Sequence, residues 1–246
     1  MHKSCIGRRV KLTLENQVNH MKANLIEDII EQLKNAADPK VYQIYQKQGA
    51  QGTQFGVKMG DIRKIAKQLK NNHELALNLW DTKILEAQFM AILNFKASSF
   101  STQELTELSQ SANFPHLLDW LFSYVIKLHP EKDQLRLAWL NSKEPSLRRL
   151  AWQLTASSIS KNEGKLELKQ LLKTIEETML SEHYLVQWTM NSTLASIGIC
   201  NEELREQAIH IGNKLALYQD YPVSKGCVSP FAPIWIEEMA KRANKN

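Results

Sequence analysis

The stretch Leu168-Lys169-Gln170-Leu171-Leu172-Lys173-Thr174-Ile175-Glu176-Glu177-Thr178-Met179 sets its apolar residues at steps of three, one, three and four. Leu168, Leu171, Leu172, Ile175 and Met179 therefore share one stripe of a 3.6-residue helix, with none of the alternation a strand needs. The same test passes elsewhere: Ile26, Ile29, Ile30 and Leu33 form one stripe, and Leu204, Ala208, Ile211 and Leu215 another. Breaks fall between the stripes, at Asp38-Pro39, Gly49 to Gly52, Asn71-Asn72, Ser98 to Thr102, His129-Pro130, Glu144-Pro145, Asn162 to Gly164, Gly198, and Tyr221 to Pro230. Ser101 with Glu104 has capping-box spacing, and Ser229-Pro230 predicts a cap followed by proline at the first position of a last helix.

Segments between breaks number about a dozen, mostly ~10 to 17 residues long and joined by short turns, the cadence of stacked helix pairs. The expected fold is all-α: an α-solenoid of HEAT-like (ARM-type) antiparallel helix pairs, about a dozen helices, with no exact repeat of the TPR or ankyrin kind. Composition agrees, since 9 glycines and 7 prolines in 246 residues are few for a turn-rich sheet protein. The 43% hydrophobic and 23% charged residues exclude a disordered or collagenous chain. Residues 24–246 are expected to form a single HEAT-like repeat domain. Residues 1–23, with Lys3, Arg8, Arg9 and Lys11 but no apolar signal region, read as a loosely attached extension.

No apolar run reaches the ~20 residues of a membrane helix; the longest, Leu117 to Ile126, carries Asp119 near its start. Three cysteines, Cys5, Cys200 and Cys227, show neither disulfide nor zinc-ribbon spacing, so a reducing cytoplasm is the expected setting. The seven histidines are scattered, and GxSxG, HExxH and the phosphate-loop motif are absent, so no metal, cofactor or nucleotide is expected.

A formal net charge of +5 permits a polyanionic partner without demanding one. Part of it is concentrated: Lys58, Arg63, Lys64, Lys67 and Lys70 stand against the single acid Asp61. On one continuous helix Arg63, Lys67 and Lys70 would line up opposite Ile62, Ile65, Ala66 and Leu69, giving either a phosphate-contact strip or a solvated face. Asp119, inside Leu117-Leu118-Asp119-Trp120-Leu121-Phe122, must reach water or a cation, and Arg148 and Arg149 sit in a similar apolar setting before Leu150-Ala151-Trp152. An ion pair bracing two helices and a pair in a groove both fit these residues.

From Tyr45 to Lys241 the sequence resembles the HEAT-like DNA alkylation repair proteins, which include AlkD-type DNA glycosylases. The resemblance is carried by Tyr45, Gly49 to Gly56-Val57, Ile65-Ala66-Lys67, His73-Glu74-Leu75-Ala76, Leu79-Trp80, Glu86-Ala87, Val186-Gln187, Met190-Asn191, Leu194 and Ile197-Gly198. A ragged tail motif follows as Cys227-Val228-Ser229-Pro230-Phe231-Ala232. It implies Asp119 and Arg149 as catalytic residues in a basic concave groove, the aspartate stabilising oxocarbenium character on the sugar and the arginine holding a phosphate. It also implies DNA contacts from Arg63, Lys64, Lys67, Arg148, Trp120 and Trp188, duplex DNA bearing alkylated purines as partner, and a monomer. The sequence departs from relatives that excise bases by Pro115 and Ser192 at two tryptophan positions, and by Val228 and Phe231 in the tail motif. Two functions follow: a glycosylase releasing 3-methyladenine or 7-methylguanine, or a non-catalytic scaffold that binds DNA structure or a protein partner.

Overall fold

A computed structural model describes residues 22–243, and these are helical with one isolated antiparallel bridge, Ala37 to Val57. The helices are α1 (22–35), α2 (Pro39–Lys47), α3 (Met59–Ala66), α4 (His73–Asp81), α5 (Leu85–Asn94), α6 (Thr102–Ser111) and α7 (Pro115–Tyr124). They continue as α8 (Lys132–Leu140), α9 (Pro145–Lys161), α10 (Leu168–Thr178), α11 (Tyr184–Cys200), α12 (Glu202–Leu215) and α13 (Ala232–Ala243). Most of the extension expected at 1–23 lies outside the described residues. By contacts the described residues divide into two compact units, one of residues 22–99 and 113–125, the other of 100–112 and 126–243.

In the first unit α5 is the axis, packed by α3, α4 and α7. Every residue of α5 except Leu93 is buried, as a helix apolar on all sides must be. In the second unit the 17-residue helices α9 and α11 pack along each other; α6 and α8 flank α9, while α10, α12 and α13 flank α11. The stripes read from sequence supply this core: Leu172, Ile175 and Met179 of α10 and its following turn, and Leu204, Ala208, Ile211 and Leu215 of α12, are buried with Leu194 and Ile236. Each such leucine or isoleucine contributes about 1.5–3 kcal/mol by leaving water.

Helix starts follow side-chain chemistry. Asp38, Asn72 and Asn201 accept a backbone N–H from the first turn of α2, α4 and α12, and Ser101 with Glu104 closes the expected capping box on α6. Pro39, Pro115 and Pro145 open α2, α7 and α9, where a missing N–H costs nothing. Asn201 is the whole connection between α11 and α12: its N–H donates to Ile197 O at 2.9 Å and its side chain accepts from Leu204 N at 2.9 Å. The last helix starts two residues later than Ser229-Pro230 predicts. Ser229 Oγ instead accepts from Phe231 N at 3.2 Å, and Asn191 Nδ2 of α11 donates to Pro230 O at 2.8 Å.

Helix α13 comes close to its neighbours because two glycines leave room. A methyl on Gly198 would stand 2.6 Å from Ile236 Cδ1, and one on Gly212 2.7 Å from Pro233 Cδ.

Candidate nucleic-acid interface

In the first unit the apolar side expected of the 58–70 segment is buried, at Ile62, Ile65, Ala66 and Leu69. The basic line is not continuous. Helix α3 ends at Ala66, Lys67–Leu69 tighten into a 3-10 turn, and Lys70 takes left-handed backbone at φ 50°. The buried Asn94 of α5 explains the stop: its Nδ2 donates to Ala66 O at 3.2 Å and its Oδ1 accepts from Asn71 N at 3.0 Å. Lys64, Lys67 and Lys70 are exposed on this broken turn. Arg63 is engaged, its guanidinium carbon 4.6 Å from the centre of the Trp120 ring.

Asp119 is half-buried on α7, between the buried Leu118 and Trp120. Trp120 is 7% exposed and Phe114 3%, so neither offers an open ring. Trp120 packs edge-on to Phe89 at 4.9 Å and against Tyr124 at 5.3 Å. His116, one turn before Asp119, sits in the same cluster, 5.4 Å from Phe89 and 5.9 Å from Phe114. Burial holds its pKa below the usual histidine range, the Asp119 carboxylate opposes this, and Arg63 adds to it.

The second unit holds the arginines. Arg149 is 5% exposed on α9, and its Nη1 donates to Leu185 O of α11 at 3.2 Å. Arg148 bridges to Glu182 at 2.9 Å and donates from Nη1 to Ser142 O at 2.7 Å and Lys143 O at 3.0 Å, which fastens the start of α9. Its donors serve the protein itself. Trp188 is half-buried on α11, and its ring lies 5.1 Å from Tyr218 and 5.6 Å from Tyr221. Burial pushes the Tyr218 hydroxyl pKa up, Tyr221 adds to the push, and the nearby Arg149 charge opposes it. Asp119 thus belongs to the first unit and Arg149 to the second. Ser192, at one of the departing positions, donates its hydroxyl to Trp188 O at 3.0 Å.

Sequence reasoning passed over Glu86. It is fully buried on α5, and its carboxylate accepts the N–H groups of Phe55 at 3.0 Å, Gly56 at 2.7 Å and Val57 at 3.3 Å. The glycine-bearing loop before α3 is therefore a structural anchor. Tyr45 donates to Val57 O at 3.0 Å beside it, and at Gly56, with φ 81°, an added methyl would meet Tyr42 N at 2.5 Å. His116, Tyr218 and Tyr221 were also passed over; only the tertiary contacts single them out.

Among the described residues no group of three or more His, Cys, Asp or Glu could hold a metal ion, and no helix is long and apolar enough to cross a membrane. Cys200 and Cys227 are free and exposed.

The profile of a family described as DNA alkylation repair enzyme matches residues 29–219. An uncharacterized protein of Listeria innocua serovar 6a is 24% identical over 221 residues, covering 87% of this chain and 96% of its own. A second, from Listeria monocytogenes serovar 1/2a, is 23% identical over 219 residues, covering 86% and 95%. A solved structure from "a new family of proteins related to the HEAT-like repeat DNA glycosylases with affinity for branched DNA structures" superposes with a TM-score of 0.73 at 20% identity, over 89% of this chain and 94% of that one. The fold is accordingly HEAT-like and helical.

Proposed function

The chain belongs to the DNA alkylation repair enzyme family, and from that premise we propose that it is a repair protein that binds duplex DNA carrying alkylated purines. The observation that carries this reading is the cluster of exposed lysines Lys64, Lys67 and Lys70 at the end of α3. Phosphates neutralised there release counterions, so affinity falls steeply with salt. In the same unit Arg63 covers the Trp120 ring, while in the other unit the donors of Arg148 go to Glu182, Ser142 O and Lys143 O. Duplex binding that is absent, or indifferent to salt, overturns the proposal.

Excision is the finer part of the reading, and Asp119 is its residue. The C1′–N bond of an alkylated purine breaks with its electron pair passing to the cationic base, which leaves neutral. Water then adds to C1′ and gives its proton to the carboxylate, which has already stabilised the oxocarbenium charge. Buried and bonded to Leu185 O, Arg149 acts by holding α9 against α11. Release of 3-methyladenine or 7-methylguanine from methylated DNA should vanish in Asp119→Asn while duplex binding persists. The second reading, binding without excision, is favoured by Pro115 and Ser192 at the tryptophan positions of base-excising relatives. Wild-type protein that binds methylated duplex and releases no base decides for it.

A further inference from the structure

The second unit carries an aromatic strip that the proposed duplex binding does not use. Tyr184 and Trp188 are four residues apart on α11 and so lie on one side of the helix. Trp188 meets Tyr218 and Tyr221, which themselves stand 6.0 Å apart, and His183 stacks on Tyr184 at 4.4 Å. The strip is open: Tyr184 is 66% exposed and Tyr221 47%. Large aromatic side chains left this far in water have no role in the core of the unit.

Backbone geometry gives an independent sign. Tyr218 takes φ 65°, a left-handed conformation that bulky residues avoid and that glycine or asparagine adopts freely. Retaining an aromatic residue against that strain places its ring on Trp188, and such strain gathers where function requires a fixed side chain. Open, flat rings accept another flat ring, and on the DNA-binding reading that ring is a nucleobase.

We infer that the Tyr184, Trp188, Tyr218 and Tyr221 strip is a stacking site for unpaired nucleobases of DNA. Every base offers a π face, so the site is indifferent to sequence, and each stacked base contributes enough for its loss to be measured. The inference rests on the DNA-binding reading and extends it to strands that have left the duplex.

The test compares a flush duplex with the same duplex carrying a short thymidine flap that contains one 2-aminopurine. Wild-type protein is expected to bind the flapped DNA more tightly and to quench the 2-aminopurine. Tyr221→Ala should weaken binding to the flapped DNA about tenfold and abolish the quenching, with the flush duplex bound as before. Tyr221→Phe should behave as wild type. Tyr184→Ala, at the most exposed ring, provides a second probe without cost to the fold, and an unchanged melting temperature verifies this for both alanine variants. Equal losses on both DNAs, or no loss on either, overturn the inference. Wild-type protein that binds the flush duplex and ignores the flap refutes this site alone; protein that binds neither DNA refutes the duplex-binding reading beneath it.

Discussion

The guanidinium of Arg63 covers the ring of Trp120 at 4.6 Å. A residue that charge patterning placed among the phosphate contacts thus lies against the buried indole. Its cation is drawn to the negative face of the ring.

Arg63→Ala should therefore lower the unfolding free energy by about 1 kcal/mol. In a Trp120→Leu background the same truncation should cost less, and a double-mutant cycle by urea denaturation reads the difference. Equal costs in the two backgrounds would mean that Arg63 acts elsewhere.

Truncating Glu86 should be far more damaging. Glu86→Ala leaves the buried N–H groups around Gly56 without their acceptor, at a cost of about 3 kcal/mol or more. Glu86→Gln keeps one acceptor oxygen and should lose less. Chemical denaturation ranks the pair, and a Gln variant as unstable as Ala would show that the charge, rather than the geometry, is what the loop needs.

Alkaline stability should follow Tyr45. Burial chiefly, and then the Glu86 charge, push its pKa from 10.0 up to about 12. The fold therefore prefers the neutral phenol. That preference stabilises the protein fully below pH 10.0 and is lost as the pH rises through about 12. Tyr45→Phe should cost about 1 kcal/mol at neutral pH through the lost bond to Val57 O. It should also flatten the fall in melting temperature over the alkaline range.

Gly198 predicts a compensating pair. Gly198→Ala drives a methyl to 2.6 Å from Ile236 Cδ1 and should destabilise the protein despite the better helix propensity of alanine. Once Ile236→Ala has removed its Cδ1 and Cγ1, only the 3.1 Å approach to Ala208 Cβ remains, and Gly198→Ala should cost much less than it does beside Ile236. Thermal melts of the four proteins test the compensation.

What could be read from sequence was local. Buried stripes such as Leu172, Ile175 and Met179 obey a period fixed by one helix, so they stand where the pattern put them. The end of α3 could not be read this way, because Asn94 sets it from 28 residues further on. The start of α13 responds in the same manner to Asn191, which holds the Pro230 carbonyl from another helix. The candidate residues Asp119 and Arg149 came from resemblance, while the Phe89 ring against His116, one turn from Asp119, and the Leu185 carbonyl that holds Arg149 are tertiary. Glu86 stood within the resembling segment, yet a lone acid in an apolar run does not announce that three amides converge on it.

Asn201 ends one helix and begins the next with a single residue. Such a joint has no slack: an extra residue there would rotate α12 by about 100° and turn its leucines outward. Natural variation in length, and any engineered insertion or fluorescent tag, must therefore go elsewhere. The exposed segment around Gly226, where an added side chain would meet open space, is one place where this chain can accept one.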